Sequence, residues 1–161
     1  LSGVLNALLA VIEPGDEVVM TSPTYVGLIN RVLLAGGVPR YIPMKVVDGE
    51  WRLETGAIAG VVTERTKAFL MMSPSMPTGA TFNRHEWEAI CAACVQANAW
   101  MIYDSAMERI LFDGAPRLNP LHFPGMQDRT ITVGAASKEY RMIGWRVGWI
   151  VTPIAAAEAL S

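Results

Sequence analysis

The chain has 161 residues, of which 52% are hydrophobic and only 17% are charged, and this composition excludes an intrinsically disordered protein. Its 13 Lys and Arg residues against 15 Asp and Glu residues give a formal net charge of −2, which argues against a dedicated nucleic-acid-binding protein. No segment offers the roughly 20 consecutive apolar residues of a membrane-spanning helix. The sequence begins at Leu1 without a secretory signal pattern, so we expect a cytoplasmic protein.

Short apolar segments alternate with helical patterns along the whole chain. Most of the predicted strands lack polar alternation, which is typical of strands buried on both faces of a parallel sheet. These strands are Glu17–Met20, Pro39–Pro43, Ala68–Met72, Trp100–Tyr103, Thr130–Gly134 and Val147–Val151. The predicted helices are Ser2–Ile12, Val26–Ala35, Glu54–Thr63, Arg84–Asn98, Ala106–Phe112 and the start of one at Ala155–Leu160. This order predicts a three-layer α/β/α fold with a mainly parallel sheet.

Two local signals mark the limits of these elements. Asn83 followed by Glu86 three residues later predicts a capping box at the start of the fourth helix. Asp48-Gly49 predicts a turn between two extended segments.

The two cysteines form a C-x-x-C pattern at Cys91 and Cys94, in the middle of a predicted helix. A redox pair needs its first cysteine at an exposed helix start, and a zinc site needs two further ligands that His85 and His122 do not supply at a ligand spacing. We therefore expect two buried thiols in a reducing compartment and no metal site.

Ligands of such a sheet bind beyond the carboxyl ends of its strands, and four residues near those ends can carry chemistry. Asp104 is either a helix N-cap or a buried counter-ion, and Lys138 is either a solvated charge or an amine that forms a Schiff base. Arg146 suits a phosphate or a surface ion pair, and Tyr25 stacks on a flat ring or fills the core. The dinucleotide, nucleoside-triphosphate and serine-esterase motifs are absent from the sequence.

The order of several motifs carries a family resemblance. Ser137–Trp149, which reads S-K-E-Y-R-M-I-G-W-R-V-G-W, resembles the pyridoxal-phosphate lysine segment of class I/II (fold type I) aminotransferases. Further matching motifs occur in the family's order at Pro14–Val18, Ser22–Tyr25, Leu34–Gly37, Thr66–Ala68, Pro77–Gly79 and Arg129–Gly134. The resemblance covers almost the whole chain.

This resemblance implies a role for each candidate residue around pyridoxal 5′-phosphate. Lys138 is implied as the Schiff-base lysine and the proton shuttle, and Asp104 as the partner of the pyridinium nitrogen. Arg146 and Ser137 are implied at the phosphate, although Ser137 need not reach it. Tyr25 is implied at the ring face, and Glu139, beside the lysine, is expected to be a solvated charge.

Three positions depart from the family pattern. The resemblance implies hydrogen-bond donors to the cofactor's 3′ oxygen at two positions that here hold Met76 and Met107, and a phosphate-binding serine where this sequence has Ala135. Hydrogen bonds to a charged form favour that form, so the two methionines either change the proton affinity of the lysine linkage or only fill the vacated volume.

The resemblance implies that residues 1–161 are part of a cofactor-binding large domain, with an N-terminal segment and a C-terminal small domain outside this sequence. The implied function is a homodimeric aminotransferase that moves an amino group from an amino acid to a 2-oxo acid. Two alternatives stay open. One is a lyase, decarboxylase or oxidase with the same cofactor, and the other is a non-catalytic ligand-sensing domain.

Overall fold

The computed structural model describes residues 1–157 and contains a seven-stranded sheet with short helices. The strands are β1 Glu17–Ser22, β2 Val38–Val47, β3 Glu50–Leu53, β4 Thr66–Met72, β5 Trp100–Asp104, β6 Thr130–Ala135 and β7 Gly148–Val151. The helices are α1 Ser2–Val11, α2 Val26–Leu34, α3 Ile58–Val61, α4 Arg84–Gln96, α5 Ala136–Glu139 and α6 Ile154–Ala157. All six predicted strands are therefore present, and the α/β class is confirmed.

The strands lie in the order β3-β2-β1-β4-β5-β6-β7. The five central strands from β2 to β6 are parallel to one another, whereas β3 and β7 pair antiparallel at the two edges. Because the central strands share one direction, the carboxyl ends of β1, β4, β5 and β6 all lie along the same end of the sheet, which we call its carboxyl edge.

Alternate strand residues enter two separate apolar cores, one on each face of the sheet. Val18, Leu70 and Ile102 pack against α1 and α2 on one face, together with Leu8 and Leu28. On the opposite face, residues of the same strands pack against α3 and α4, and Trp87 is fully buried at the centre of that core. Because both faces of the central strands are covered by these cores, the strands carry apolar residues at successive positions instead of alternating apolar and polar ones.

The structure confirms the capping box, in which Asn83 Oδ1 accepts from the Glu86 amide at 2.9 Å and Glu86 Oε2 accepts from the Asn83 amide at 2.7 Å. Cys91 and Cys94 are both buried, and burial raises the pKa of each thiol to about 12. No helix among residues 1–157 combines the length and the apolar content of a membrane span.

One predicted helix is shorter in the structure, and one edge strand was not predicted. The predicted helix Glu54–Thr63 is reduced to a 3-10 turn at Thr55–Ala57 followed by the single turn of α3, since Gly56 and Gly60 weaken a helix. The turn at Asp48-Gly49 joins β2 to β3, a strand that the sequence pattern missed. The predicted helix Ala155–Leu160 begins within α6, and its last residues lie outside the described part of the chain.

The predicted helix Ala106–Phe112 is wrong, because this segment forms turns instead. Its amides bond three residues back, as Ile110 does to the Met107 carbonyl at 2.9 Å. The amide of Arg109 donates to the Glu139 carboxylate at 2.8 Å. A helix needs that amide for a carbonyl four residues back, so the tertiary bond replaces the helical one.

Candidate active site

A cavity of about 630 Å³ opens at the carboxyl edge of the parallel strands, within the size range of small-molecule and cofactor sites. All seven residues predicted for the site line it, namely Tyr25, Met76, Asp104, Met107, Ser137, Lys138 and Arg146. Six of them lie at or just after the carboxyl end of β1, β4, β5 or β6. The seventh, Arg146, lies just before β7, and because β7 runs antiparallel to β6 it starts at this same carboxyl edge. The topology therefore converts strand ends that are far apart in sequence into one site.

Asp104 is the last residue of β5 and is only 8% exposed. Its Oδ1 accepts from the Ala106 amide at 3.0 Å, and no Lys or Arg side chain among residues 1–157 forms an ion pair with it. Burial raises the pKa of this carboxyl group, while the hydrogen bond from the Ala106 amide acts in the opposite direction. A buried carboxylate without a cationic partner is costly, so this position favours a ligand that brings a positive charge.

Lys138 lies in the short helix α5, which follows β6 directly, and its side chain is exposed to the cavity. Ser137 precedes it and is half-buried. Arg146 adopts a left-handed conformation with φ 55°, and its Nη1 donates to the Ile143 carbonyl at 2.9 Å. This bond anchors one end of the guanidinium, and the group retains further N–H donors for an anion.

The ring of Tyr25 lies directly over Gly27 in the first turn of α2. A Cβ placed on Gly27 would lie 2.3 Å from Tyr25 Cε1 and 2.7 Å from Cζ, far inside ordinary contact. The absence of a side chain at position 27 therefore allows this half-buried tyrosine to lie close against the helix and still line the cavity.

Met76 and Met107 are half-buried and pack against the same apolar core as Tyr25. Their thioether sulfurs carry no N–H or O–H donor. The structure thus places two side chains without donors on the cavity wall at the positions where the resemblance implies donors.

Trp149 also lines the cavity, which the sequence pattern did not indicate. A Cβ on Gly134 would lie 2.2 Å from Trp149 Nε1, and Gly134 pairs with Trp149 across β6 and β7. Gly134 in one predicted strand and Gly148 directly before Trp149 in the next are the sequence signal that could have indicated this close packing.

The expectation of a solvated charge at Glu139 is wrong. Its side chain is only 10% exposed, and its Oε1 accepts from the Arg109 amide at 2.8 Å. The residue adjacent to Lys138 is therefore bonded to the segment that follows Asp104, thirty positions earlier in the chain.

A model of the family described as aminotransferase class I and II matches residues 2–161. The chain belongs to this family. Arginine–pyruvate transaminase AruH of Pseudomonas aeruginosa is 40% identical over 160 residues, which cover 96% of this chain and 40% of that protein. N-Succinyldiaminopimelate aminotransferase from Mycobacterium tuberculosis superposes with a TM-score of 0.94 at 34% identity, covering 98% of this chain and 41% of the other. Aromatic aminotransferase from Pyrococcus horikoshii OT3 gives a TM-score of 0.91 at 33% identity, over 99% and 42% of the two chains.

The chain thus spans about two fifths of the length of these relatives. The fold-type-I assignment is confirmed by the superpositions, and members of this family depend on pyridoxal phosphate. The cavity fits such a group on its own chemistry, because it combines the Lys138 amine, the Arg146 guanidinium and a buried carboxylate that lacks a cationic side chain among residues 1–157.

Proposed function

We propose that this chain forms the cofactor-binding part of a pyridoxal-phosphate-dependent aminotransferase that transfers an amino group from an amino acid to a 2-oxo acid. The observation that carries the proposal is the convergence of Lys138 and Asp104 on one cavity from the ends of two adjacent parallel strands. The family membership and the transaminase names of the relatives support the same reaction class.

Lys138 would hold the cofactor's aldehyde carbon through Nζ, and the same nitrogen would carry a proton to and from the substrate. When bound, pyridoxal phosphate supplies an electron-withdrawing ring that stabilises negative charge at the substrate's α-carbon. Acid–base steps of the kind assigned to Lys138 contribute roughly 10²–10⁴-fold to a rate.

Asp104 would oppose the positive charge on the ring nitrogen, which removes the cost of burying an unpaired carboxylate. Arg146 and Ser137 would bind the phosphate, and Tyr25 would cover one face of the ring. Met76 and Met107 would contact the cofactor as apolar neighbours.

The proposal extends to the whole protein. Residues 1–161 would be part of the large domain, with a further N-terminal segment and a C-terminal small domain, which agrees with the share of the relatives that the chain spans. We also assign a homodimer in the cytoplasm, and the two unpaired thiols suit a reducing compartment.

The decisive experiment measures the visible absorption of the full-length protein mixed with pyridoxal phosphate. Wild type and the control variant Lys67→Ala, which alters an exposed lysine of β4 away from the cavity, should develop the same band. Lys138→Ala should develop none. Band formation in Lys138→Ala at the wild-type level would contradict the proposal.

The reaction type needs a separate test, because other enzymes with this cofactor act on amino acids. An amino acid is added to the loaded protein, followed by a 2-oxo acid after the absorption has changed. Aminotransfer predicts that the second addition restores the original spectrum. Release of ammonia or carbon dioxide without such restoration would indicate the lyase, oxidase or decarboxylase alternative, and no response to any amino acid would favour the ligand-sensing one.

The two methionines give a further test of the site. If Met76 and Met107 deprive the ring oxygen of donors, the visible band should titrate at a higher pH in wild type than in Met76→Asn or Met107→Tyr, because each variant restores a donor to the charged oxygen. Equal titration in all three proteins would mean that the methionines only fill volume.

A further inference from the structure

The segment after β5 is bonded at two points, once to β6 and once to the helix α5 that follows it, and each bond lies beside one of the two central residues of the cavity. Beside Asp104, the amide and the Oγ of Ser105 both donate to the Val133 carbonyl, at 2.9 and 3.1 Å. Beside Lys138, Glu139 Oε1 accepts from the Arg109 amide at 2.8 Å. Met107 lies between the two points and is thereby held against the cavity.

The two bonds differ in what they can control. The Ser105 bond joins neighbouring strand ends, whose positions the sheet already determines. The Glu139 bond joins a turn without helical structure to α5, which is a helix of only four residues. The Ala136 amide also holds α5, by donating to the Val147 carbonyl at 3.1 Å. Among residues 1–157, however, the bond from Glu139 is the hydrogen bond that joins α5 to the turn after Asp104.

The bond is formed by a carboxylate and a backbone amide rather than by an ion pair. The nearest approach of the Arg109 guanidinium is 3.8 Å between Nε and Oε2, and the Arg109 side chain is 59% exposed, a geometry in which an ion pair contributes little. The Glu139 carboxylate, in contrast, is 10% exposed, and a hydrogen bond to a charged group is stronger than one between neutral groups.

We infer that Glu139 is a positioning residue that joins α5 to the turn after Asp104 and thereby sets the placement of the Lys138 amine in the cavity. Glu139 itself does not line the cavity, so it acts through Lys138 and Met107 and not by contact with a ligand. This inference rests on the proposed function only for the identity of the ligand, pyridoxal phosphate.

The test separates the length of the side chain from its charge. Glu139→Gln keeps an acceptor oxygen at the same reach, whereas Glu139→Asp keeps the charge and loses one methylene of reach. In the full-length protein, the Kd for pyridoxal phosphate should rise only about two- to fivefold in Glu139→Gln, because a neutral bond of the same reach replaces the charged one. It should rise about tenfold in Glu139→Asp and in Glu139→Ala, the loss expected for one hydrogen bond to a charged group.

Glu108 offers a matched control in the same turn. Its carboxylate is similarly buried, at 11% exposed, but it bonds to Asn119 Nδ2 at 2.6 Å and lies near Arg117 at 3.4 Å instead of reaching α5. Glu108→Asp should leave the Kd unchanged. The pH at which the visible band titrates gives a second measurement, which should shift in Glu139→Asp and not in Glu108→Asp.

Several outcomes would overturn the inference: tight binding by Glu139→Asp with weak binding by Glu139→Gln, wild-type binding by all variants, or equal weakening by Glu108→Asp. If Glu139→Ala does not fold, the Gln and Asp variants still decide the question. Failure of the proposed function is recognised separately, because wild type and Lys138→Ala would then give the same absorption.

Discussion

Replacement of Gly27 by alanine tests how Tyr25 is held in the cavity. The new Cβ would lie 2.3, 2.7 and 3.0 Å from Cε1, Cζ and Oη of Tyr25, and no backbone atom outside the helix is among these nearest atoms. The ring must therefore retreat by about 1 Å to reach ordinary contact distance, and it can do so because it is the end of a flexible side chain.

The expected magnitude follows from the contact that is lost. An aromatic ring stacked on a flat partner contributes about 0.5–1.5 kcal/mol beyond area burial, so its displacement should weaken pyridoxal-phosphate binding by roughly 2–10-fold. Stability should change little, because alanine favours a helix by up to about 1 kcal/mol over glycine and this gain offsets the strain of the displaced ring.

The assay is a fluorescence titration of the full-length protein with pyridoxal phosphate, alongside thermal unfolding. Gly60→Ala is the control for helix propensity, since Gly60 lies in α3 with no atom within 4 Å of its added Cβ. In a Tyr25→Ala background, Gly27→Ala should cause no further loss of affinity. A further loss of the same size in that background would refute the steric argument.

Three other changes test the burial of charge and the close packing. Asp104→Asn should raise the melting temperature of the cofactor-free protein at pH 7 and weaken cofactor binding, because burial raises the pKa of Asp104 and the ionised form is therefore destabilised. Glu17 has a lowered pKa, chiefly through its hydrogen bond from Thr63 Oγ1 at 2.6 Å. The free energy of unfolding should fall as the pH decreases from about 5 to 3, and Glu17→Gln should reduce that dependence. Gly148→Ala would place Cβ 2.8 Å from the Gly134 carbonyl oxygen and should cost about 1–3 kcal/mol by urea unfolding, whereas Gly144→Ala meets nothing within 4 Å and should cost less.

The parts of the fold that the sequence predicted are those determined by burial on both faces. Residues Ala68–Met72 of β4 and Trp100–Tyr103 of β5 are continuous apolar segments that are almost entirely buried, so their composition alone indicates parallel central strands. β3 could not be found in this way. Its residues Glu50–Leu53 are mostly exposed or half-buried, and the strand exists through its pairing with Met44–Val47 at the edge of the sheet.

The same distinction applies to the candidate site. Asp104 and Lys138 could be chosen because each follows a buried strand, and parallel strands bring their carboxyl ends together whatever the side chains do. The packing of Trp149 on Gly134 depends instead on the antiparallel register of β6 and β7. Neither the apolar pattern of β7 nor its exposed tryptophan specifies that register.

Glu139 shows why residues that hold a site in place are harder to predict than residues that line it. The Ala106–Phe112 segment has local helix propensity, and a charged residue in a loop is usually solvated, so each local inference was reasonable. Both predictions are wrong for the same reason, which is that the Glu139 carboxylate accepts from the Arg109 amide. This bond replaces water at the Glu139 carboxylate, and it replaces the helical hydrogen bond of the Arg109 amide. A single bond between residues thirty positions apart changes the structure of two segments at once. The placement of the Lys138 amine is therefore sensitive to a residue that no local pattern identifies.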